Sequence, residues 1–539
     1  MILSFLSGLV SALALPFSFG DIKFPDLEIL AWFSFVPFYI SIHHASLKSA
    51  FYRGVVFGVG YFTLALYWIY IALHTYGEVS IWSSLLGVGL AVFLLGFFVG
   101  VAAFSAVWIQ KQGVPLALSF PVVWVGLDFL RSYFPFGGFP WASVAYSQRS
   151  FLTFLQILDI TGIYGILFLL TLSNAVLGEL ILFFQKKRFF PNKLVFLFLS
   201  LMVSVFVYGH FRLNSLRKNL VSQQKLQVLM IQGNIPQEEK WLEEKTDEIV
   251  ARYIFLTQKG ESEKYSDLIL WPEAAYPGVL SPNLTQVDLL KNFKAPLLMG
   301  VVTYEGEIPE EWPPSDEAIR DFRMYNAAAL VEPGGTISGW YHKNHLVPMG
   351  EYVPFQKALF FLHKIVPSFT SFTPGRNLNL IHKFGVTICY EDLFPSISRS
   401  FTKKGADFLV NLTNDGWYDR SSAIYQHYDF SRFRAIENRR AMVRVTNTGV
   451  TGTFGPTGEV IDQLPPFQEG ILQGEIPVGG PLSFYTRFGD IFAWGCILVM
   501  GLLIGLFNKC NKVCLSWRAK RGHLPGSIGR SPRQPSASS

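Results

Sequence analysis

FGVTICYED, Phe384 to Asp392, is an apolar β-type run (Val386, Thr387, Ile388) that delivers a cysteine to its end. Glu391 and Asp392 follow at once, and Leu393, Phe394 and Pro395 open a helix. The spacing puts the Cys389 thiol at a strand end facing a helix N-terminus, where the helix dipole favours the thiolate and lowers the thiol pKa. The competing reading is the small buried hydrophobe that a free cysteine commonly is. Cys389 is the only cysteine in the long polar part of the chain, because Cys496, Cys510 and Cys514 lie in or after a C-terminal apolar run. No disulfide can therefore close within the polar part.

The 539 residues are 50% hydrophobic, 16% aromatic and only 16% charged, too apolar for an ordinary soluble protein. Apolar runs fill the sequence to about Leu213, the stretch Asn214 to Tyr485 has a soluble composition, and one more apolar run follows. Candidate spans are Ile2 to Ser18, Leu27 to Ile42, Phe51 to Leu73, Trp82 to Trp108, Leu116 to Leu130, Leu155 to Phe184, Leu194 to Tyr208 and Ile491 to Phe507. Each is near the roughly 20 residues that cross a bilayer as a helix. The expected organisation is a membrane α-helical bundle of about eight transmembrane helices with a layered α/β domain inserted before the last. Residues 1–212 carry helices one to seven, 213–485 the polar domain, 486–508 helix eight, and 509–539 a basic, Ser/Pro-rich tail read as disordered. The first span lacks the basic flank of a signal peptide and is read as retained.

Orientation follows the lysines and arginines. Lys48 with Arg53, Lys111, the Lys186 to Lys193 cluster and the tail each follow an even number of spans. Those segments belong in the cytoplasm, with the N-terminus, so the polar domain is extracytoplasmic. The net charge of +6 is accounted for by these loops and the tail, and implies no nucleic acid.

In the polar domain, strands are expected at Leu226 to Ile231, Leu268 to Trp271, Leu297 to Thr303, Asn326 to Val331, Phe384 to Cys389, Phe408 to Leu412 and Ala441 to Thr446. Helices are expected at Lys240 to Gln258 and Ala423 to Arg440. Two further charges sit where a strand ends: Glu273, after Leu-Ile-Leu-Trp-Pro, and Lys343, within WYHKNHLVP. A partly desolvated carboxylate can accept a thiol proton, and a lysine beside it can hold an oxyanion. Taken singly, a strand-end salt bridge and a solvated loop charge are the competing readings. At strand ends outside the core, both should be replaceable without unfolding. His342 and His345 have an HxxH spacing but no ligand set around them, so no metal is expected.

Together the three neighbourhoods resemble the nitrilase superfamily of carbon–nitrogen hydrolases over roughly Leu226 to Gln473. WPE (Trp271 to Glu273), HKNHLVPMGEYVP (His342 to Pro354) and CYED (Cys389 to Asp392) match in order, with NLTNDGWY (Asn411 to Tyr418) and RAIENRRAMVRVTNTG (Arg434 to Gly449) behind them. The resemblance implies an αββα sandwich and a catalytic Glu273, Lys343 and Cys389. Glu351, which orients the lysine and base in that family, is implied as a supporting residue, with Tyr390 and Glu391. Insertion between a seventh and an eighth span is similar to the apolipoprotein N-acyltransferases of bacterial inner membranes, as are YWIYIALHTYG (Tyr67 to Gly77), GFPWASVAYSQ (Gly138 to Gln148) and IQGNIPQEEKW (Ile231 to Trp241).

That resemblance implies a phospholipid acyl donor, an apolipoprotein acceptor bearing a diacylglyceryl-modified N-terminal cysteine, a Cys389 thioester, a monomer in the bilayer and no cofactor. Trp417 and Tyr418 are implied on the substrate side, and Trp241 is read as a substrate-positioning aromatic or else as a core tryptophan in the first turn of a helix. ALFFLHKIVPSFTSF (Ala358 to Phe372), with Phe360 and Phe361, is too apolar for an exposed loop and is read as a lid dipping into the outer leaflet, or else as a core helix. The alternative function is a membrane-tethered amidase or nitrilase acting on a small amide. A transporter or receptor is a third reading, for which Asp159 and Glu179 would be the intramembrane charges.

Overall fold

Val228, Leu229, Met230 and Ile231 are consecutive apolar residues, and a strand of that kind has to be covered on both faces. Val228 and Met230 turn into one core and Leu229 and Ile231 into another. This computed structural model describes residues 1–186, 189–281, 283–306, 322–353 and 372–505. The tail 509–539, the lid residues 358–371 and, among them, Phe360 and Phe361 lie outside the described residues.

A short hairpin, β1 (Ser18–Phe19) and β2 (Ile22–Lys23), belongs to the N-terminal part. The polar domain holds β3 (Lys225–Gln232), β4 (Leu268–Leu270), β5 (Val279–Leu280), β6 (Leu297–Glu305), β7 (Arg323–Val331), β8 (Ile337–His342), β9 (Phe384–Ile388), β10 (Phe408–Thr413), β11 (Met442–Thr446), β12 (Thr451–Phe454), β13 (Val460–Leu464) and β14 (Gly470–Pro477). One sheet runs β14-β3-β4-β6-β7-β8 with β5 on β6, and the other runs β13-β12-β11-β10-β9. β3, β4 and β6 are parallel, as are β9, β10 and β11. Ile249, Tyr253 and Leu256 of helix Thr246–Glu263 cover Leu229, Ile231 and Ile269. Helices Pro395–Lys403 and Ser422–Asn438 pack on β9 and β11, completing four α/β/β/α layers.

Strands β5, β8, β12, β13 and β14 of the polar domain are absent from the sequence reading, and the first domain helix starts at Thr246, not Lys240. Residues 233–242 fold instead as a loop against the sheet ends, with Ile235 and Lys240 buried.

Each expected span is helical over at least part of its length among the described residues. Ile81–Lys111, Ile163–Phe184 and Asn192–Val221 are long and apolar enough to cross a membrane, and Leu47–Ala65 with Ile69–Tyr76 forms a fourth candidate bent by 63°. Ile2–Ala12, Glu28–Ile42, Leu152–Thr161 and Ile491–Gly505 are shorter apolar helices, and Leu116–Arg131 carries Pro121 inside it. Trp82, Leu86, Leu90 and Phe93 on one long helix and Phe196, Val203 and Phe211 on another are exposed, as lipid-facing side chains are. Asn192–Val221 continues unbroken into the polar region, and β3 begins three residues beyond it.

The bundle and the sandwich share one core. Buried Asp159 is the main ionic tie: its Oδ2 lies 2.9 Å from Arg439 Nη2, at the C-terminal end of Ser422–Asn438, and 2.8 Å from Arg212 Nε. Arg439 also donates to Gln156 Oε1 at 2.7 Å and to the Pro456 carbonyl at 2.9 Å. Glu179 accepts from Tyr39 Oη at 2.8 Å and lies 3.3 Å from His43. Both carboxylates thus sit in packed networks.

Candidate active site

Parallel strands leave their carboxyl ends as the natural place for a site. Beyond β4, Trp271 and Pro272 lead to Glu273, and Ala274 then turns the chain with φ +46°. This turn rests on Gly300 of β6, where a Cβ would stand 2.3 Å from the Pro272 carbonyl oxygen, so only glycine fits. Lys343 follows β8, and its Nζ lies 2.8 Å from Glu351 Oε1 and 3.5 Å from Glu273 Oε1. Asn326 of β7 ties the two carboxylates together, donating to Glu273 Oε1 at 2.7 Å and to Glu351 Oε1 at 2.9 Å. Glu273 Oε2 accepts the Asn414 N–H at 2.9 Å. Three of the roughly four lone-pair positions of the Glu273 carboxylate therefore face donors, and one remains for a proton.

Cys389 follows β9 and opens a tight turn, Cys389–Leu393, with φ +49°. A side chain held in that region costs about 1–3 kcal/mol, which the surroundings must offset. They grip its carbonyl: Asn411 Nδ2 donates to that oxygen at 3.2 Å, and His427 Nε2 lies 3.2 Å from it. His427 Nδ1 is 2.8 Å from Asp415 Oδ1, and Arg444 reaches Asp415 Oδ2 at 2.9 Å and Asn411 Oδ1 at 2.8 Å. All of these side chains are buried.

Burial pushes the Cys389 thiol well above its ordinary pKa, Glu273 adds to the rise, and Lys343 opposes it. The expectation of a lowered thiol pKa is therefore corrected. The field of one helix end is small beside the cost of desolvating a thiolate at 6% exposure. The buried site thus favours the thiol form of Cys389 over the thiolate. Lys343 behaves oppositely: burial favours its neutral form, but Glu351 and Glu273 outweigh burial and hold it above the usual lysine value.

Glu273 is 8% exposed and Lys343 1%. Both are therefore interior, which corrects the expectation that they stand outside the core. Removing the Lys343 ammonium would leave the buried Glu273 carboxylate facing the partly exposed one of Glu351, a loss on the order of 3–5 kcal/mol for a broken buried pair.

Glu391 is fully buried and staples the lysine and cysteine segments together. Its Oε1 accepts the N–H groups of Asn344 at 2.7 Å and His345 at 3.1 Å, and its Oε2 that of Ile388 at 2.8 Å. Tyr341 Oη adds a bond at 2.8 Å. Burial raises its pKa to about 7 against these bonds. Tyr390 Oη donates to the Gly138 carbonyl at 3.3 Å, joining the cysteine turn to the membrane-side loop. Tyr418 is buried against Trp68 and Trp141, with ring centroids 4.9 and 5.8 Å away. Trp417 is 40% exposed with Tyr76 edge-on to it, and Trp241 is 50% exposed.

His342 and His345 diverge, one stacking on Tyr325 and the other on Phe394. Among the described residues no three His, Cys, Asp or Glu side chains are grouped to hold a metal.

Sequence reasoning missed Asn326, Asn414, His427, Asp415, Arg444 and Lys240. Lys240 is 3% exposed and donates from Nζ to the Glu273 carbonyl oxygen at 2.9 Å. It was legible only as a polar residue beside Trp241, assigned to the first turn of a helix where it would be solvated.

The family described as apolipoprotein N-acyltransferase N-terminal domain matches residues 7–176, and the carbon-nitrogen hydrolase family matches residues 230–480. The chain is 36% identical to the apolipoprotein N-acyltransferase of Geobacter metallireducens over 503 residues, covering 92% of this chain and 93% of that one. It is 30% identical to the enzyme of that name from Chlorobaculum tepidum, covering 92% and 95%, and 30% identical to that of Methylococcus capsulatus, covering 94% and 95%.

Proposed function

Because the chain belongs to the apolipoprotein N-acyltransferase family, we propose that Cys389, Glu273 and Lys343 carry its acyl transfer in two half-reactions through one thioester. The protein is a membrane acyltransferase of lipoprotein N-acylation, with a phospholipid donor and a lipoprotein acceptor. In the first half-reaction Glu273 takes the Sγ proton as sulfur attacks the phospholipid ester carbon, and Lys343 holds the oxyanion. Collapse expels the lysophospholipid oxygen, which takes the proton from Glu273 and leaves an acyl-cysteine. In the second, the α-amine of the diacylglyceryl cysteine attacks the thioester, gives a proton to Glu273, and leaves as the amide while Cys389 regains a proton. Glu351, braced by Asn326, keeps Lys343 aimed, and a monomer suffices.

The observation that carries this reading is the contact between the cysteine turn and the membrane bundle. Tyr390 bonds the 138–148 loop, and Tyr418 packs on Trp68, at the break of the bent helix pair. A small-amide hydrolase has no need of a nucleophile seated on the end of a lipid-facing bundle, whereas two lipid-anchored substrates do. In detergent with a phospholipid and a diacylglyceryl-cysteine peptide, the expected product is the peptide plus one acyl mass on its amino group. Release of free fatty acid alone, with the peptide unchanged, would favour the hydrolase reading.

We place the catalytic domain on the periplasmic face of the bacterial inner membrane, because the basic loops alternate with it. A cysteine introduced at Ser262, which is exposed, should react with a membrane-impermeant maleimide in intact spheroplasts, and one at Ser531 should not. Labelling in the reverse pattern would place the domain in the cytoplasm, away from exported lipoproteins.

A further inference from the structure

Lys240 stands apart from the rest of the site. It comes from the 233–242 loop, not from a strand end, its side chain is buried, and its Nζ bonds the main-chain oxygen of Glu273 at 2.9 Å, within electrostatic reach of Glu273 and Cys389. We propose that Lys240 is a second cation of this site, a positioning residue that fixes the Glu273 turn and supplies the counter-charge to the Cys389 thiolate. The proposal rests on the reading of Cys389 as nucleophile and Glu273 as base.

Charge counting gives the reason. Glu273 is buried and Glu351 only partly exposed, and Lys343 matches just one of these two carboxylates. With Lys240 protonated, the set is neutral before reaction. It stays neutral when the thiol proton moves to Glu273, since a thiolate and Glu351 then face two ammonium groups. Without Lys240, every step with a thiolate carries an uncompensated negative charge in a buried site.

The two lysines differ in how firmly they hold their protons. Lys343 has a carboxylate at 2.8 Å, whereas Lys240 donates to a neutral carbonyl. Burial therefore pulls Lys240 down to about 8, with Glu273 and Cys389 only partly opposing it. The charged groups acting on it are those two.

The test is the rate of Cys389 alkylation by iodoacetamide in the detergent-purified full chain, read by peptide mass between about pH 6 and 10. In the parent, log rate should climb with pH as thiolate forms, then flatten from near pH 8, where Lys240 loses its charge. Lys240→Met should react at least about 10-fold more slowly at pH 7, the effect of losing one charge within about 12 Å at an effective dielectric of about 20, and should show no flattening. Lys240→Arg keeps a charge that does not titrate, so it should react at the parent rate at pH 7 and climb through pH 8 without a break. A purely structural lysine would give a Met variant with parent rate and parent break, which would overturn the proposal. An unfolded Met variant leaves the Arg variant to decide, because a break retained near pH 8 in Lys240→Arg overturns it equally. If the parent is not alkylated at Cys389 at all, the nucleophile reading falls and this proposal with it.

Discussion

Glu273→Gln should slow thioester formation by roughly 10²- to 10⁴-fold per folded molecule, the range for losing a general base. The effect should be large here because the free thiolate is strongly disfavoured near neutral pH. Burial and the neighbouring carboxylate keep Cys389 protonated, so the base must act in the same event as the attack. The substitution will also cost stability, although it conserves shape. Glu273 Oε1 accepts from Asn326 at 2.7 Å and Oε2 from the Asn414 N–H at 2.9 Å, so an amide NH₂ at either position would meet a donor. Asn326 Oδ1 is buried without a partner among the described residues and could accept from that NH₂ if the Asn326 amide turned over, but its bond to Glu351 would then be lost. A loss of about 1–3 kcal/mol is expected for one buried polar group left unpaired. A stopped-flow or single-turnover assay of acyl-enzyme formation, normalised to folded protein by thermal melt, separates the two effects. Single-turnover rates within a few-fold of the parent would remove Glu273 from the role of base.

What the sequence disclosed depended on whether a residue's setting is written locally. Glu273 and Cys389 each follow a short apolar run, so their strands were readable; Lys343 was read as a strand-end charge although β8 itself was not picked out, and β4, β8 and β9 deliver all three. Three of the strands that went unread, β12, β13 and β14, are rich in Gly, Gln, Thr and Asp, and their pairing is decided across the sheet, as in β14 against β3. The thiol pKa was misjudged for a related reason: local sequence shows a helix start, but the burial that outweighs it comes from β10, Ser422–Asn438 and the membrane bundle.

Lys240 is the clearest case of a setting hidden from the sequence. Read with Gln258 as the ends of one amphipathic helix, it belongs on a solvated turn. The helix instead starts at Thr246 and leaves the lysine in a loop folded onto the Glu273 turn. Asp415, His427 and Arg444 were invisible as a set, because they come from separate elements and meet only behind the Cys389 carbonyl.

Cys389→Ala should abolish acyl transfer outright, since no other thiol is expected to stand in for it. Among the described residues the only other free cysteine is Cys496, on the apolar helix Ile491–Gly505. The central claim is that the acyl chain passes through sulfur, so the measurement that tests it most directly is intact-mass analysis of the purified protein after incubation with one phospholipid and no acceptor. The account predicts a gain of a single acyl mass that maps to Cys389, is released by hydroxylamine, disappears on addition of the diacylglyceryl peptide, and is absent in Cys389→Ala. An adduct on any other residue, or one formed equally in Cys389→Ala, would contradict it.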